Sequence, residues 1–118
     1  MISFQEAVQW WCVTCHGVER TKNEKERTLR FIEEAIELSQ SAGLSKEEVI
    51  RMVEWVYSRE SGVLPQEVGG VMVTLAALCS AFFIHMDEEA ETELRRIWNV
   101  MDVIRKKQQS KISAAIGS

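Results

Sequence analysis

Apolar residues in this chain recur every third or fourth position, the period of a helix and not of a strand. Phe4, Ala7, Val8, Trp11, Cys12 and Cys15 trace one face of a first helix, Phe4 to His16, with Gly17 as its stop. Val18 to Lys25 is polar and mixed in charge, and is expected as a loop or a frayed start. A second helix is predicted from about Glu24 to Ala42, ending at Gly43. Its inward arc is Leu29, Phe31, Ile32, Ala35, Ile36, Leu38 and Ser39, while Arg30, Glu33, Glu34, Glu37 and Gln40 fill the other side. Ser45, with Glu48 three residues later, forms a capping box for a third helix. That helix carries Val49, Met52, Val53 and Val56 to about Tyr57. After a short break near His85 to Asp87, a last helix runs from Glu88 to about Gln109, with Leu94, Ile97, Trp98, Met101 and Ile104 inward. The tail KISAAIGS is expected to fray.

Between the third and last helices, Ser58 to Leu64 is a turn-rich connection into Gln66–Ala81, QEVGGVMVTLAALCSA. This stretch is apolar on every side except for Glu67 near its start. A helix hydrophobic all round belongs in the middle of a bundle, so it is expected as the central helix. Pro65 suits a first helical position, where its missing N–H costs nothing. Glu67, Gly70, Thr74, Ala77 and Ala81 fall on one small-residue stripe. Glycines in a helix interior each cost about 1 kcal/mol against alanine. Gly69 and Gly70 therefore imply that a neighbouring helix or a ligand approaches the backbone there. The pattern as a whole predicts one all-α domain over residues 1–118, an antiparallel bundle of about five helices with residues 109–118 as a frayed tail.

Composition narrows the function classes. At 118 residues the chain is long enough to bury a core unaided. One proline and six glycines leave few turns for an all-β fold. Glu67 and Asp87 bracket the longest apolar run, so no membrane span is expected, and MISFQEAV has no export signature. A formal net charge of −4 argues against general nucleic-acid binding. Three cysteines, an odd number, fit a reducing cytoplasm.

Chemistry concentrates in carboxylates. Glu33, Glu34 and Glu37 make EExxE on one helical face, which is also the pattern of a solvated amphipathic side. Glu67 in a first turn also favours the helix macrodipole. Carboxylates a turn apart on two packed helices can together hold a hard cation such as Mg²⁺, which keeps several waters and reaches for phosphates. ERTLRFIEEAIEL followed by QEVGGVMVTLAAL resembles the all-α nucleoside triphosphate pyrophosphatases, the group of MazG-type enzymes, dimeric dUTPases and phosphoribosyl-ATP pyrophosphatases. That group carries ExxE on one helix and ExxD at the head of a later, very apolar one. Glu34 and Glu37, preceded by Glu33, match the first pair, and Glu67 matches the start of the second. Gly70 stands where the aspartate is usual. The resemblance spans roughly Glu26 to Lys107. It implies a cytoplasmic Mg²⁺-dependent enzyme, a homodimer or higher homo-oligomer, that cleaves nucleoside triphosphates between the α and β phosphates. Glu34, Glu37 and Glu67 would be metal ligands, and Glu33 would help position or deprotonate water. The alternative is a non-catalytic nucleotide- or partner-binding member of the same fold.

Other groups carry two readings each. Lys22, Lys25, Arg27 and Arg30 precede the acidic face and could neutralise phosphates, or simply keep the surface soluble. Trp10 lies off the core arc and could stack on a nucleobase, although core or dimer packing is the preferred reading of the tryptophans. CVTCH, Cys12 to His16, spells the CxxCH of covalent haem attachment. Haem attachment follows export, and no export signal is visible, so Cys12 and Cys15 are read as small buried hydrophobes. Zinc on Cys12, Cys15, His16 and His85 would need four converging ligands.

Overall fold

The structure, a computed structural model, describes residues 1–107. Five helices are bounded within it: α1 Phe4–Thr21, α2 Glu24–Ser41, α3 Lys46–Tyr57, α4 Leu64–Ala81 and α5 Met86–Asn99. Residues 101–107 are helical as well, and no strand occurs among the described residues. The chain is all-α. The expected tail, 109–118, and the expected end of the last helix at Gln109 lie outside the described residues.

Capping chemistry sets most of the boundaries. Ser45 accepts from the Glu48 N–H and Glu48 accepts from the Ser45 N–H, so the predicted capping box opens α3. Ser3 and Glu6 make a second box at the start of α1. Asn23 begins α2 in a related way, its Oδ1 accepting from the Glu26 N–H at 3.0 Å. Gly17 leaves the helical path as expected (φ 82°, ψ 166°), but the chain does not enter a loop. Val18–Thr21 makes one more helical turn, with the Thr21 hydroxyl donating to the Gly17 carbonyl at 2.7 Å. The expected loop over Val18 to Lys25 therefore shrinks to Lys22 and Asn23.

Residues group into two compact units. The first joins Met1–Leu38 to the chain from Glu93 onward, and the second is Ser39–Thr92. In the first, Trp11 and Cys15 are buried, as expected from the α1 pattern. Arg105 ties the late helical segment to α1, donating from Nε to the Cys15 carbonyl at 2.7 Å and from Nη2 to the Thr14 carbonyl at 2.9 Å. The kink at Gly17 carries the following N–H groups off the helical path, so this guanidinium takes the place of the missing turn. The inward arc predicted for α2 is only partly covered. Leu29, Ala35 and Ser39 are half-buried, whereas Phe31, Ile32, Ile36 and Leu38 are exposed.

The second unit departs furthest from expectation. The helix expected at the centre of a bundle, α4, buries only Cys79. Leu64, Val68, Met72 and Val73 are exposed on it, and α3 exposes Met52, Val53, Trp55 and Tyr57. The reason is geometric: α3 can cover one stripe of α4, and a helix apolar all round has more than one stripe to cover. A Cβ built on Gly69 or Gly70 would meet nothing within 4 Å, so the close approach expected at these glycines does not occur among the described residues. A single charge, Glu67, interrupts α4, and the helix is long and apolar enough to cross a membrane by length and composition only, a criterion that the core helix of a soluble protein also meets.

Candidate functional site

The acidic face of α2 is built by helical spacing alone. Glu34 and Glu37, three residues apart, are both exposed, and Glu33 beside them is half-buried. Two arginines attend this face. Arg30 reaches Glu33 through Nη1 and lies 4.0 Å from Glu34 through Nη2. Arg96, held by Glu93 at 2.7 and 2.8 Å, is drawn by Glu34 as well as by Glu93. In the second unit Glu67 sits in the first turn of α4 with its carboxylate turned back over the preceding loop. Its Oε2 would stand 3.0 Å from a Cβ at Gly62.

The four cations ahead of the acidic face divide into pairs. Lys22 and Lys25 are exposed. Arg27 donates to Glu26 at 2.8 Å and Arg30 is committed to Glu33 and Glu34, so these two arginines are already neutralised locally.

A second cluster was not expected from the sequence. Glu26 is 7% exposed, and its Oε1 accepts from Arg20 Nε at 3.1 Å and Arg27 Nη2 at 2.8 Å. His16 lies against Trp11, with ring centroids 5.3 Å apart and planes nearly perpendicular. Burial, reinforced by Arg27 and Arg20, lowers the His16 imidazole to about 4 and keeps it neutral near pH 7. Burial likewise pushes the Cys12 and Cys15 thiols up, outweighing Arg27 beside Cys12 and Arg105 beside Cys15. These are protonated thiols and not activated nucleophiles. The one hint in the sequence was the interleaving of charges in ERTKNEKER, which reads as surface until Arg20 and Arg27 are seen to close on Glu26.

Trp10, the candidate for stacking on a base, is exposed and meets Trp98 edge to face at 6.4 Å. Among the described residues no three of His, Cys, Asp and Glu stand close enough together to hold one metal ion. That covers Cys12, Cys15 and His16 as well as the carboxylates. Glu34 and Glu37 belong to the first unit and Glu67 to the second. The carboxylates suit Mg²⁺ in kind, being hard oxygen donors, and neither unit gathers three of them. Compared with protein-family models, curated proteins and solved structures, the chain matches none.

Proposed function

We propose that this chain is a Mg²⁺-dependent nucleoside triphosphate pyrophosphohydrolase of the all-α MazG-like type, working in the cytoplasm as a homodimer or higher homo-oligomer. The observation that carries the reading is the acidic turn of α2, where Glu34 and Glu37 reach solvent side by side with Glu33 behind them. The supporting feature is Glu67 at the head of a very apolar helix. Glu34, Glu37 and Glu67 are the residues that would hold the ion. When bound it would neutralise charge on the triphosphate. Glu33, steadied by Arg30, would orient water or accept its proton. Lys22 and Lys25 would draw the phosphates in, and Arg27 and Arg30 would do so only by loosening their present carboxylates.

The test is pyrophosphate release from a panel of nucleoside triphosphates with Mg²⁺. Release that stops with EDTA and with Glu34→Gln is expected. No release from any triphosphate overturns the reading. A second reading, a non-catalytic nucleotide- or partner-binding member of the same fold, is favoured by Gly70 in the aspartate position and by the lack of three gathered ligands among the described residues. Nucleotide binding without turnover would select it.

A further inference from the structure

We propose that Trp11, His16, Arg20 and Arg27, clustered beside Glu26 in the first unit, form an oxyanion site that takes a phosphate group. Four nitrogens there lack acceptors. Trp11 Nε1, His16 Nδ1, Arg20 Nη2 and Arg27 Nε are shielded from water, and among the described residues none has a hydrogen-bond partner. Arg20 Nη2 stands 3.1 Å from Glu26 Oε1, but without the alignment of a hydrogen bond. Trp11 as a whole is only 7% exposed. Indole and guanidinium nitrogens can only donate, and a neutral imidazole carries its proton on one of its two nitrogens. Buried donors are nearly always met by protein, water or an ion. The four belong to one neighbourhood. His16 packs on Trp11 with ring centroids 5.3 Å apart, Arg20 and Arg27 share Glu26 Oε1, and both guanidinium groups act on the imidazole. Several unmet donors gathered in this way call for an acceptor with several lone pairs.

Charge decides between water and an anion. Arg20 and Arg27 are both cationic, and Glu26 supplies a single negative charge between them. Arg30, the other cation that acts on His16, is committed to Glu33 and Glu34. One positive charge is left over, which a water molecule would not balance and an anion would. A phosphate group brings three strongly accepting oxygens where a carboxylate brings two, and so meets donors on four residues better. Bonds from guanidinium to phosphate are charge-assisted and among the stronger kinds. The side chains of Arg20 and Arg27 are 34% and 27% exposed, so a ligand can reach the cluster from their side. Only Arg27 is common to this site and to the proposed hydrolase, and the site needs no Mg²⁺.

The test is a titration of the full chain with inorganic phosphate, in EDTA and at constant ionic strength, so that it is independent of metal and turnover. The indole N–H signals of the four tryptophans are followed by ¹⁵N NMR, and Trp11 is identified by its loss in Trp11→Phe. The Trp11 signal should move saturably, and Tm should rise with phosphate. Arg20→Gln keeps a donor for Glu26 and removes the charge, and should weaken binding roughly ten-fold or more. Trp11→Phe removes an unmet donor and should fold, with a smaller rise in Tm on adding phosphate than wild type. A nucleoside monophosphate titrated in parallel separates the sources: similar affinity marks a phosphate ester as the ligand, and no binding marks free phosphate. A Trp11 signal that stays still, or moves no more than those of Trp10, Trp55 and Trp98, overturns the proposal and leaves water as the acceptor. So does phosphate affinity unchanged in a folded Arg20→Gln chain, or a rise in Tm unchanged in Trp11→Phe.

Discussion

Glu26 and His16 share one neighbourhood. Two guanidinium groups converge on one oxygen of Glu26. Removing the carboxylate would leave Arg20 and Arg27, each partly exposed, without the buried anion they share. Glu26→Ala should therefore destabilise the fold by about 3 kcal/mol in denaturant titration, the scale of a broken buried pair. His16 makes the fold sensitive to pH. The unfolded chain takes up its proton near pH 6.5, while the folded chain resists until about 4. Within that window the unfolded state binds the extra proton, so stability falls as pH falls and is fully recovered above 6.5. His16→Phe, with a ring of similar shape against Trp11, should flatten the dependence of Tm on pH between 7 and 4.5. Neither role was legible in the sequence. A glutamate in a run of alternating charges looks solvated, and a histidine after two cysteines suggests ligation, because burial is a property of what closes over the residue.

At the scale of elements, what was legible was whatever is encoded within four residues. The capping box of α3 and the glycine closing α2 follow from local chemistry, and both stand as expected. Ser45→Ala should cost about 1 kcal/mol, read from the denaturation midpoint. What failed was anything supplied from a distance. Gly17 does break the helix, but the chain resumes it because Arg105, ninety residues away in sequence, binds the carbonyls at the break. Arg105→Met keeps the apolar stem and removes both bonds, and should cost about 2 kcal/mol. α4 was misplaced for a related reason: its sequence states that it must be covered and not by what. Gly70 can be tested at this scale. Open space around its missing Cβ means Gly70→Asp should not lower the thermal midpoint through a clash. If Glu67 is a metal ligand, the variant should bind Mg²⁺ more tightly than wild type and gain thermal stability with added Mg²⁺. A variant whose midpoint ignores Mg²⁺ would detach Glu67 from any ion.

For the whole molecule, the fold class was readable because every stretch carries one period and none competes with it. The acidic site was readable only as far as single helices go. Spacing puts Glu34 and Glu37 side by side on α2, and no spacing rule brings Glu67 to them. The two units also differ in how the chain supplies them. The second is one uninterrupted stretch, Ser39–Thr92, whereas the first needs both Met1–Leu38 and the residues from Glu93 on. Synthesis runs from the N-terminus, so α1 is made long before the guanidinium that completes it. Through that interval the first segment waits without its closing partner, while α3 and α4 can already pair. A chain stalled before Glu93 would thus present a formed hairpin, apolar on its outer faces, to chaperones and to other nascent copies. For such a chain the order of synthesis, as well as the final contacts, would set which apolar surface is exposed first.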